Sequence, residues 1–162
     1  MACRVLQRET ACRPCRRRLR RGATAIELAL VLMLFLTLVL GMLDLGIAVF
    51  RYHIVAEAAR QGARRAIVHG KLADKLGVWG PESFSVTGED GHALVTGIQP
   101  LLEGLDLSQV TVTAEWPDGG NDPQADNRVR VTVSVPYQPI MIFIFGDYPL
   151  TLTGSSTMYI AH

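Results

Sequence analysis

From Ala23 to Phe50 the chain is apolar almost without interruption, and from Leu28 to Leu43 it carries no charge. As a helix the whole stretch would rise ~42 Å and its uncharged centre ~24 Å, at ~1.5 Å per residue. The hydrocarbon core of a bilayer is about 30 Å thick, so the pattern predicts a transmembrane helix over residues 23–50. Past Phe50 the pattern changes with no turn signal. Ile54, Val55, Ala58, Ala59, Gly62 and Ala66, with Ala63 beside them, recur at helical spacing, while Arg51, Glu57, Arg60, Arg64 and Arg65 fall largely elsewhere. The same helix is therefore expected to run on to about His69, with Gly70 as its stop and a total length of ~70 Å.

Residues 71–108 are mixed. Trp79-Gly80-Pro81 and Gly88-Glu89-Asp90-Gly91 read as loops, and His92 to Leu102 as a short helix broken or kinked at Pro100. The last third alternates with a period of two. Val110, Val112, Ala114 and Trp116 form one apolar row, Val129, Val131, Val133 and Val135 a second, and Leu150 to Ile160 a third. Pro117 to Asn127 is the turn-rich loop between the first two strands. Ile140 to Phe145 is too short to cross a membrane, and is expected to pack under the sheet or dip toward the lipid surface.

Charge sharpens this picture. The formal net charge is +1, but residues 1–22 hold eight arginines and one acid, a net of +7, which leaves −6 for the remainder. Flanking arginines stay on the cytoplasmic side, so the chain reads as a basic tail inside and an acidic domain on the far side. Arg16, Arg17, Arg18, Arg20 and Arg21 form the block next to the apolar segment. An ordinary secretory signal has its cleavage site after the apolar run. Here the candidate for cutting, Gly22, precedes it, and cutting at Gly22–Ala23 would leave the helix on the product. All three cysteines, Cys3, Cys12 and Cys15, precede Gly22, so a mature chain from Ala23 could form no disulfide.

Two acids stand out. Glu27 lies at the start of the apolar helix, where a carboxylate costs roughly 2.5–3.5 kcal/mol on insertion scales and calls for a partner. Asp44 closes the uncharged centre, flanked by Gly41 and Gly46, which either admit another helix or mark local looseness. Other chemistry is poorly supported. Cys12 and Cys15 have a knuckle spacing but lack the further ligands a structural zinc site needs. His53 and Glu57 lie one turn apart, but a solvated face with Glu57 beside Arg60 and Arg64 explains them. Asp118, Asn121, Asp122, Asp126 and Asn127 offer oxygens to calcium, yet their spacing is not that of an EF-hand and turn formation accounts for them. A tethered hydrolase would need Ser83, Ser85 or Ser108 as nucleophile, with no Gly-x-Ser-x-Gly elbow. A nucleic-acid role fits poorly, because the basic block lacks interleaved aromatics and the rest is acidic. No cofactor, no metal and no enzymatic activity are expected.

Arg20-Arg21-Gly22-Ala23-Thr24-Ala25-Ile26-Glu27 resembles the basic-leader, Gly-x-x-x-x-Glu pattern of the TadE-like family of the tight-adherence (Flp, type IVb) pilus machinery. Asp44-Leu45-Gly46, then Ala56 to Arg60 and Gly62 to Ala66, are similar to the family's acidic-x-Gly and alanine- and arginine-rich helix. The Val129–Tyr137 strand and the Thr- and Ser-rich Leu150–Met158 segment extend the likeness. The resemblance implies a minor pilin or pseudopilin; Leu28, where major Flp pilins often carry Tyr, favours the minor role. It implies cleavage after Gly22 by a prepilin peptidase, and pairing of Glu27 with the Ala23 amine of a neighbouring subunit, with Asp44 as a second assembly residue. Implied partners are that peptidase, other pilins or pseudopilins, inner-membrane pilus assembly proteins and the bilayer. The implied fold is α+β and pseudopilin-like: a transmembrane helix extended into the periplasm and packed on a small antiparallel sheet. Its segments are a 1–22 leader, a 23–50 membrane helix in the inner membrane, a 51–70 continuation and a 71–162 periplasmic domain. The alternative is an uncleaved, membrane-anchored structural protein of the envelope.

Overall fold

The structure, a computed structural model, describes residues 17–73, 75–140 and 150–161, with side chains from Gly22 onward. Arg16, the three cysteines and most of the 140–145 stretch lie outside the described residues. One helix, α1 (Arg17–Ala66), carries the N-terminal segment as expected but ends three residues short of the expected His69. The chain divides into two compact units, the first ending at Leu40 and the second starting at Gly41.

In the first unit the apolar helix has no buried residue among those described. Leu28 and Leu34 are about 70% exposed, and the most apolar stretch of the helix contains no buried residue. By length and composition this helix is long and apolar enough to cross a membrane.

The second unit holds the rest of α1 and four strands, β1 (Phe84–Thr87), β2 (Thr111–Glu115), β3 (Arg128–Tyr137) and β4 (Leu150–Tyr159). They form one antiparallel sheet in the order β1-β2-β3-β4. The fold is thus the expected α+β arrangement of a long helix on a small antiparallel sheet. Alternation places Val129, Val131, Val133, Val135 and Tyr137 of β3 on the buried face and Arg128, Arg130 and Thr132 on the other. Val112 and Ala114 of β2 lie beside Val133 and Val131 and continue the same apolar layer. Each such valine contributes roughly 1.5–3 kcal/mol when fully buried.

Helix α1 meets this layer with small residues. Ala58, Ala59, Ala63 and Ala66 are buried with Val55, which is the stripe the spacing predicted. Small side chains bring the helix backbone close to the strands. A Cβ on Gly154 of β4 would lie 2.8 Å from the Ala56 Cα, so only glycine fits beneath the helix there. The remaining edge of the core is closed by α2 (Ala93–Ile98), which continues as a 3-10 turn over Gln99–Leu102. Pro100 lacks the N–H that an α-helix needs at that point, so the kink falls where the sequence placed it.

β1 was not foreseen. Its four residues are too few for a period to show, and it is ordered by pairing with β2 over Phe84↔Ala114 to Thr87↔Thr111. Nearby, Trp79 stacks flat on His69 with 3.7 Å between ring centroids and meets Phe84 edge-on. Gly80, at φ +78°, passes so close to Trp116 that any side chain there would enter the indole.

Candidate processing and assembly site

Gly22, Ala23 and Glu27 all lie on α1, and all three are exposed. Ala23 and Glu27 are four residues apart, so they share a helix face one turn apart. Among the described residues, none outside its own stretch of helix approaches within 4 Å of where a Gly22 Cβ would stand. The backbone of Arg17, Arg18, Arg20 and Arg21 is helical and continuous with the rest of α1. The arginines just before Gly22 and the turn that follows it therefore belong to one helix. A carboxylate at Glu27 on an otherwise apolar, exposed helix would be costly in lipid without a charged or hydrogen-bonding partner.

Asp44 is placed differently. It is 3% exposed, in a helix whose neighbouring residues are open. The Tyr137 hydroxyl at the end of β3 donates to the Asp44 carboxylate, and lies 3.1 Å from the Asp44 carbonyl oxygen as well. Burial, and then the bond to Asp44, push the Tyr137 phenol up to about 12. The Arg51 guanidinium sits 5.4 Å above the Tyr137 ring, within the range of a cation–π contact. The structure thus gives the second acid a partner within its own chain. The sequence had placed it among the groups that pair subunits. Tyr137 was missed as a site residue. The available signal was that an acid inside an apolar helix requires a partner, together with a tyrosine on the buried phase of the valine strand.

Gly46 faces open space on α1, whereas Gly41 lines an apolar cleft with Leu45, Ala48, Tyr137, Pro139 and Leu150. Glu57 accepts from the Arg60 Nε at 2.9 Å, the solvated ion pair expected of that face.

The acidic loop is occupied by its own architecture. Asp118 accepts the Arg128 backbone N–H at 2.9 Å, its Nε at 3.0 Å and its Nη2 at 2.8 Å. Those bonds, led by the one to the guanidinium, hold the Asp118 carboxyl below the usual range. Asp122 caps the turn at Gln124 and pairs with Lys71 at 3.2 Å, and its carboxyl is lowered for those reasons in that order. Asn121 is buried, accepts from the Trp116 indole at 3.2 Å and donates to the carbonyls of His69 and Trp79. These side chains tie the long hairpin loop to the residues that follow α1. Among the described residues no group of three or more His, Cys, Asp or Glu is placed to hold a metal ion.

Residues 22–64 match the family model described as TadE-like protein, in agreement with the resemblance read from the leader and helix residues. The matched segment begins at Gly22 and ends within the alanine-rich part of α1. No curated protein and no solved structure matches the chain.

Proposed function

We propose, from the TadE-like character of residues 22–64, that this chain is a minor pilin or pseudopilin of a tight-adherence pilus system. It is made as a precursor inserted in the bacterial inner membrane, with the arginines in the cytoplasm and the sheet in the periplasm. A prepilin peptidase hydrolyses the Gly22–Ala23 bond, and the freed amine of Ala23 and the Glu27 carboxylate then supply the charge pair that joins neighbouring subunits. The chain undergoes this chemistry and performs none. The histidines near the sheet support that reading, since His92 caps α2 by accepting from the Leu94 N–H and His69 stacks on Trp79.

The observation that carries the proposal is the exposed Glu27, five residues beyond Gly22 at the head of an unpacked apolar helix. In lipid such a carboxylate is costly alone and is neutralised by an amine on the same or an adjacent helix. Glu27→Ala is expected to leave membrane insertion intact and to reduce filament number on the cell surface. Normal piliation by that variant would remove Glu27 from the assembly site. One observation favours the second reading, an uncleaved anchor: α1 passes through Gly22 without a break. Cleavage therefore requires the peptidase to open a turn of helix, which glycine makes easier than any other residue except proline.

A further inference from the structure

We propose that the base of the second unit is a lipid-binding surface. The end of the sheet at Ile140 and Leu150, together with Leu45 and Phe50 of α1, would sit in the interfacial layer of the leaflet where the membrane span ends. The proposal rests on the anchored part of the reading above and is independent of processing or pili.

Helix rise fixes the level. Ala23 to Leu43 advances about 30 Å along α1, the thickness of the hydrocarbon core, so lipid tails end close to Asp44. At that level the Asp44 carboxylate is held by the Tyr137 hydroxyl and shielded from its surroundings. Tyr137 is thereby fixed at the membrane edge, and two neighbours come with it. Leu150 is its partner in the ladder, and Ile140 follows three residues later. Both are large, apolar and open, at 52% and 68% exposure, and Leu45 and Phe50 are open at 69% and 66%.

Water is a poor neighbour for such a group of side chains, and phospholipid is a good one. The cleft between α1 and the sheet end has a volume of about 120 Å³. Its walls at Leu45, Ala48, Pro139 and Leu150 are apolar, which suits the end of an acyl chain. Polar groups follow in the order a lipid presents them. Arg51 lies seven residues beyond Asp44, about 10 Å farther along the helix, at the height of phosphates. Beside it Tyr52 is half-exposed, as aromatic residues of the interfacial belt are.

The test uses the full chain with Cys3, Cys12 and Cys15 changed to Ser, and one new cysteine at a time: Leu36→Cys, Ile140→Cys, Leu150→Cys or Thr157→Cys. All four positions are partly or fully exposed, so a small fluorophore is accommodated. Each labelled chain is reconstituted in phosphatidylethanolamine–phosphatidylglycerol vesicles with or without nitroxide-bearing lipid. The expected result is loss of emission to the nitroxide lipid at positions 36, 140 and 150, and no loss at 157. Labels at 140 and 150 that behave like the one at 157, while the label at 36 is quenched, overturn the proposal and leave the anchor intact. An unquenched label at 36 refutes the anchor itself, and the seating with it.

Discussion

Changing Tyr137 to Phe removes one oxygen and leaves the aromatic ring beneath Arg51 in place. The lost hydroxyl donates to the Asp44 carboxylate and also lies 3.1 Å from its carbonyl oxygen. A hydrogen bond to a charged group contributes about 1.5–3 kcal/mol. A destabilisation of about 2 kcal/mol is therefore expected, which for a unit of this size is a fall in Tm of roughly 6–10 °C. Both tryptophans, Trp79 and Trp116, belong to the sheet unit, so thermal unfolding of the full chain in detergent can be followed by their emission. Asp44→Asn keeps an acceptor for the hydroxyl and should cost less, and the double variant should fall short of the sum of the two. A Tyr137→Phe chain that unfolds within about 0.5 kcal/mol of the original, the range of an ordinary surface change, refutes the claim that this pair fastens α1 to the sheet.

Three further outcomes are expected. The phenol of Tyr137 is raised to about 12 when folded, against about 10 in an unfolded chain, so its proton is held more tightly in the native state. The stability it contributes is full below pH 10 and lost as pH rises toward 12; the original chain should lose stability over that window more steeply than Tyr137→Phe, and matching profiles would count against the shift. Gly154→Ala places a methyl 2.8 Å from the Ala56 Cα and should cost about 1–3 kcal/mol by overpacking, read as a lower Tm; an unchanged Tm would mean that the helix is free to move away. Asp118→Asn removes the charge that pairs with Arg128 at an exposed site, so its effect on stability is expected to be small and to vanish in acid as the carboxyl of the original chain is protonated. A large loss persisting at low pH would show that the loop depends on something other than that pair.

Much of this architecture is legible in the residues because the forces that build it are periodic. The valines of β3 alternate because one face of the sheet is covered, and the alanines of α1 recur because the helix backbone must lie against strands. Contacts between distant residues leave no such trace. Asp44 and Tyr137 are 93 positions apart, and the sequence shows only that the acid needs a partner. Hydropathy also conceals where α1 changes role. Its apolar run continues to Phe50, although the helix already touches the sheet at Asp44, because the face of α1 turned away from the sheet stays apolar. The loop side chains of 117–127 were readable as turn formers, but Asn121 as the buried link between Trp116 and the carbonyls of His69 and Trp79 depends on the folded arrangement.

Whether the arginine-rich leader is removed is decided by the intact mass of the membrane-extracted chain, made beside an active prepilin peptidase, with Gly22→Leu as its control. The account predicts that the original chain begins at Ala23 and that the Gly22→Leu chain keeps residues 1–22. An original chain that still begins at Met1 would contradict it.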